Sequence, residues 1–149
     1  MSDDKVISLF SDAYPQPRLS EEEVTVERLK IFLTSAVLDY EIHEDGDIYI
    51  KDGVDFPFWL SVENDSKLIR FLTHWPAEHC SIDQVNQLNA KLRFSQFALD
   101  GERVLANYYL PFRYGIDSRH VVIMARHFGK ICRIAYDEVR DTTADGSPE

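Results

Sequence analysis

The chain has 149 residues, 44% hydrophobic and 12% aromatic, enough apolar side chain for one domain burying roughly 68–70% of its unfolded surface, and this composition excludes wholesale disorder. The net charge of −10 sits in the ends: residues 1–23 hold six acids and two bases and residues 137–149 five acids and one base, which leaves 15 acids against 13 bases between them. Two cysteines without CxxC spacing, no basic flank and apolar run at the start, and no apolar stretch of about 18–20 residues speak against a disulfide framework, a signal peptide and a spanning helix, so the expectation is a soluble cytoplasmic protein with no membrane association.

Residues 1–19 read as an N-terminal extension, partly ordered. Val6, Ile7, Leu9 and Phe10 form an apolar patch expected to dock in part on the body, and Tyr14-Pro15-Gln16-Pro17 favours extended chain. Ser20 and Glu23 have capping-box spacing, with Thr25 a competing start. From there Val26, Leu29, Leu33, Ala36 and Val37 share one arc, which predicts an amphipathic helix ending near Leu38. Two alternating stretches, 39–43 and 48–51, flank Glu44-Asp45-Gly46-Asp47, the strongest short-range hairpin signal. A third strand, 56–62, alternates Phe56, Phe58, Leu60 and Val62 with Pro57, Trp59 and Ser61, and Pro57 belongs at its start or on an edge. A fourth covers 67–75.

Pro76 ends that strand. Ser81 and Gln84 again have capping-box spacing, and the second helix carries Ile82, Val85, Leu88 and Leu92 to about Arg93. Strands at 94–99 and 103–110 flank Asp100-Gly101. Asp117 or Ser118 then caps a third helix to Tyr136, whose apolar arc holds Val121, Met124, Ala125, Phe128, Ile131, Cys132, Ala135 and Tyr136. Gly129 inside it suggests close approach of another backbone. Residues 138–149 read as an acidic disordered tail. The order α-β-β-β-β-α-β-β-α, with hairpin-linked strands, predicts an α+β fold: one domain over residues 20–137, an antiparallel sheet with helices packed on one face.

That order, with Val85-Asn86-Gln87-Leu88-Asn89, Phe94, Phe97, Leu99-Asp100-Gly101 and Gly115 before the last helix, resembles the YbjN family of small bacterial proteins over roughly residues 20–137. The family is described as a sensory-transduction regulator, and its fold is similar to that of type III secretion chaperones, dimers that bind segments of other proteins without chemistry. The resemblance implies a regulatory or chaperone-like interaction module, not an enzyme. It supplies no catalytic residue, metal or cofactor.

The candidate sites follow from the residues themselves. Asn89 falls inside the apolar arc of the second helix and Asn86 at its margin; both read as structural polar residues, because a buried amide left unpaired costs about 1–3 kcal/mol. Asn89 is expected to bond a backbone group of the neighbouring hairpin or loop. Cys80 beside His79 and near His74 has no third group to orient a base. His120 and His127 lack the acidic or thiol neighbours of a zinc site. Asp45-Gly46-Asp47 lacks the later ligands of a calcium loop. Arg119, Arg126, Lys130 and Arg133 form a stripe opposite the apolar face of the third helix. It is either a solvated face or a surface for an acidic segment, the chain's own tail or nucleic-acid phosphates. Trp59 and Trp75 belong to aromatic sets that alternation divides between the two sheet faces. A set left on the open face would call for a second copy, giving a homodimer, or a partner peptide. The expected function is a non-enzymatic module binding a partner protein segment. The alternative is a nucleic-acid-associated accessory protein.

Overall fold

The structure, a computed structural model, describes residues 18–78 and 80–145, with side chains as far as Arg140. The apolar patch at residues 6–10, His79 and the last four residues lie outside the described residues.

Both candidate starts for the first helix are used. The Ser20 N–H donates to Glu23 Oε1 at 3.1 Å around a 3₁₀ turn, Glu21–Glu23. Thr25 then caps helix α1, Val26–Ser35, its hydroxyl accepting from the Arg28 N–H. The helix stops short of the expected Leu38 because Val37 takes the left-handed conformation, φ 59°. The Leu38 N–H donates to Leu33 O and the Val37 N–H to Thr34 O, a Schellman end with Leu33 and Leu38 both buried. Glycine normally fills the left-handed position there; a β-branched residue at it is strained.

Six strands form one antiparallel sheet among the described residues: β2 (Asp39–Ile42), β3 (Ile48–Asp52), β4 (Phe58–Glu63), β5 (Leu68–Pro76), β6 (Gln96–Asp100) and β7 (Arg103–Pro111), in the order β2-β3-β4-β5-β7-β6. Pro57 falls just before β4, and its carbonyl accepts from buried Thr73 Oγ1. Helix α2, Ile82–Lys91, carries the predicted capping box: the Ser81 hydroxyl accepts from the Gln84 N–H and the Gln84 side chain from the Ser81 N–H.

A second, two-stranded pairing joins β1 (Arg18–Leu19) to β8 (Ile116–Asp117), strands too short to leave a period in the sequence. Gly115 permits it: a Cβ there would lie 2.6 Å from Leu19 O. Arg18 Nη2 donates to Tyr114 O, and the Tyr114 N–H to Glu21 Oε1.

Helix α3, Ser118–Asp145, is longer than expected. The tail read as disordered from residue 138 is helical to Asp145, because Val139, buried, continues the arc of Val121, Ala125, Phe128, Cys132 and Ala135. Gly129 acts as predicted: a Cβ there would come within 3.3 Å of Phe56 O. The core lies between these helices and one sheet face. Phe128 packs edge-on to Phe58 and tilted against Phe71, while Tyr136 meets Phe56 and Trp75. The class is the expected one, α+β with the helices over one sheet face.

Candidate functional site

Strand alternation decides what the uncovered sheet face presents. Along β5, Ile69, Phe71, Thr73 and Trp75 are buried beneath the helices, and Arg70, Leu72 and His74 point the other way, only partly shielded. The register extends this face: Tyr49 opposes Trp59, Trp59 opposes Leu72, Leu72 opposes Asn107, and His74 opposes Leu105. At its centre Trp59 lies between two rings. His74 stacks on it with centroids 5.3 Å apart and planes at 11°, and Tyr49 lies 4.8 Å away on the other side. His43 meets Trp59 edge-on at 6.5 Å and Tyr49 at 5.8 Å. Such ladders of cross-strand rings stiffen a sheet surface and leave their edges toward water.

Polar groups frame this aromatic row. Lys51 donates to Glu41 at 2.7 Å, and Asp39 lies 3.9 Å from the same ammonium. Desolvation, with the Asp45 carboxylate adding to it, raises the Asp47 pKa above its ordinary value, and Arg70 partly opposes that rise. Arg70 Nε and Asn107 Oδ1, both on this face, are shielded from solvent without a hydrogen-bond partner among the described residues. Tyr49, Trp59, Leu72 and His74 are each half-buried.

The two tryptophans separate. Trp75 is 3% exposed, in contact with Phe56 and Tyr136. It belongs to the core and cannot meet a partner, so the surface role expected for both falls to Trp59 alone.

The basic stripe lies on the outward side of α3, all four side chains exposed. It is less free than its spacing suggests. The Arg119 guanidinium donates to Asp117 at 2.5 Å, and this pairing with the Arg119 side chain and N–H lowers the Asp117 pKa to about 2. Arg126 Nη2 donates to Ala36 O at 2.9 Å, tying α3 to the end of α1. Arg133 sits 4.0 Å from Asp137 and over the Tyr136 ring.

Asn89 does what its place in the arc requires. Its Nδ2 donates to Phe97 O at 2.9 Å, and its Oδ1 accepts from the Phe97 N–H at 2.8 Å. Phe97 lies on the outermost strand, so one side chain closes part of an exposed edge that would otherwise invite another strand. Asn86 stands exposed on the same helix.

Burial raises the Cys80 thiol pKa, the opposite of what activates a nucleophile, and its Sγ contacts Ser81 O. Burial also raises the Cys132 pKa, in the core. The histidines disperse: His43 and His74 flank Trp59, and His127 meets Phe94 edge-on. Among the described residues, no group of three or more His, Cys, Asp or Glu is placed to hold a metal. No described helix is long and apolar enough to cross a membrane.

A helix-backed antiparallel sheet whose other face is lined with rings defines a small α+β protein. The chain belongs to the YbjN family: the family model, described as "Putative bacterial sensory transduction regulator", matches residues 25–141. Among solved structures it is similar to the crystal structure of YbjN from E. coli, described as a putative transcription regulator. The TM-score is 0.64 at 12% identity, over 80% of this chain and 92% of that one. At that identity the likeness carries the fold. No curated protein sequence matches the chain.

Proposed function

We propose that this protein is a non-enzymatic regulatory module that captures a segment of a partner protein on its open sheet face, in the manner of a chaperone. The family's regulatory description supports the general role. The observation that carries the surface is Trp59, held half-buried between His74 and Tyr49 on the sheet face opposite the helices. Rings so arranged offer large contact area at low entropic cost, the character of interface hot spots. A second copy of this chain is the other occupant that would fit, as a homodimer. The two free thiols, Cys80 and Cys132, suit a reducing cytoplasm.

The test is affinity purification of the full chain from its native host, beside Trp59→Ala and the pair Arg126→Glu with Lys130→Glu. Retained partners falling about tenfold with the tryptophan change and holding with the charge reversals would support the reading, since loss of a buried aromatic anchor removes at least a decade of affinity. The reverse pattern would move the interface to α3. Light scattering at tens of micromolar separates a homodimer from a monomer, and a salt titration against single-stranded DNA tests the nucleic-acid alternative.

A further inference from the structure

The surface where α1 ends against α3 is separate from the open sheet face and has its own character. Two adjoining depressions, about 320 and 380 Å³, share Ile123 and Arg126 in their walls. Phe32, Ala36 and Val122 make the first mostly apolar; Val54 and Lys130 help line the second, where Asp55 is the acidic member. Ile123 is 57% exposed, and Val37, next to Ala36, is 85% exposed in its strained left-handed conformation. Ser118, itself 1% exposed, lines the first depression with its hydroxyl unpartnered among the described residues.

We propose that this α1–α3 groove is the docking site of the chain's own N-terminal segment, residues 3–10. The direction comes from the β1–β8 register. Arg18 pairs antiparallel with Asp117, and Ser118 opens α3 directly afterwards, so the N-terminal end of β1 points toward the start of α3. The length suffices: the eight steps from Phe10 to Arg18 span at most about 26–29 Å, against about 18 Å along the helix from Ser118 to Lys130. The chemistry matches as well. Val6, Ile7, Leu9 and Phe10 supply apolar groups for Phe32, Val122 and Ile123, and the charge of Asp3 and Asp4 complements that of Arg126 and Lys130. A partner using this groove would have to displace the segment.

The test uses the full chain with Phe10 replaced by the photo-crosslinker p-benzoyl-phenylalanine, illuminated at micromolar concentration, with products mapped by mass spectrometry. The expected product is an intramolecular cross-link to peptides covering 32–37 or 118–130. In an Ile123→Asp background its yield should fall about tenfold, from the lost burial of one isoleucine and the repulsion of Asp3 and Asp4. Ile123 is exposed, so that change opens no hole in the core. A dimer-mass product, cross-links elsewhere, or a yield indifferent to Ile123→Asp would overturn the proposal.

Discussion

Trp59 and Trp75 stand on neighbouring strands of one sheet and meet opposite fates. Trp75 is sealed under α3 between Phe56 and Tyr136; Trp59 lies on the open face between His74 and Tyr49. The covered face is held by close packing, where a lost ring leaves a hole. The open face is held by ring stacking and a few ion pairs, where a lost ring leaves water. One face therefore carries most of the stability, and the other carries less of it.

The sharpest way to break that contrast is to truncate both rings. Trp75→Ala is expected to lower stability by about 3–5 kcal/mol, a large share of the roughly 5–15 kcal/mol a domain possesses, read by urea unfolding. Trp59→Ala should cost only about 1 kcal/mol, the worth of its half-buried ring contacts, while removing partner capture. Equal losses would show that the open face is also a core.

Next in size is the edge. Asn89→Ala leaves Phe97 without partners for its N–H and C=O and should cost about 1–3 kcal/mol, with faster hydrogen exchange at the Phe97 amide as the specific readout. Unchanged exchange there would mean that the amide bonds are incidental.

A smaller effect of opposite sign is expected at the end of α1. Val37→Gly relieves about 1–2 kcal/mol of left-handed strain against about 0.4–1 kcal/mol of added unfolded-chain entropy, a net gain of about 0.5–1 kcal/mol in chemical unfolding. A loss would show that contacts of the Val37 side chain outweigh the strain of its left-handed backbone.

The smallest effect is electrostatic. Asp117 titrates at about 2 instead of its ordinary 3.8, because the Arg119 side chain and N–H bond its carboxylate. A depressed carboxyl contributes stability that is fully present above the ordinary value and is lost as pH falls toward 2. Carbon NMR of the Asp117 carboxyl should show that low midpoint, and Asp117→Asn should flatten the acid limb of the stability curve below pH 4. The pair is exposed, so the change is slight.

The hairpins and caps were legible because each is a local transaction. Asp45-Gly46 and Asp100-Gly101 set turns, Ser81 with Gln84 set a helix start, and alternation along residues 67–75 set which side chains share a face. Asn89 was legible for a related reason: an amide inside an apolar arc must find a backbone group. Helix ends were harder. Val37 stops α1 where its sequence favours continuing, and Val139 prolongs α3 into what reads as a charged tail.

By itself, the sequence determined the kind and order of the three helices and the six strands of the main sheet, because those follow from periods and turns spanning a few residues. Only the tertiary structure decided that β7 inserts between β5 and β6, that residues 18–19 pair with 116–117, and that Trp59 rather than Trp75 lies on the face away from the helices. It also decided that the basic stripe, uniform in spacing, is partly neutralised by Asp117 and Asp137. Each of these depends on contacts between residues far apart in sequence, whose free energy arises only when the helices close over one side of the sheet.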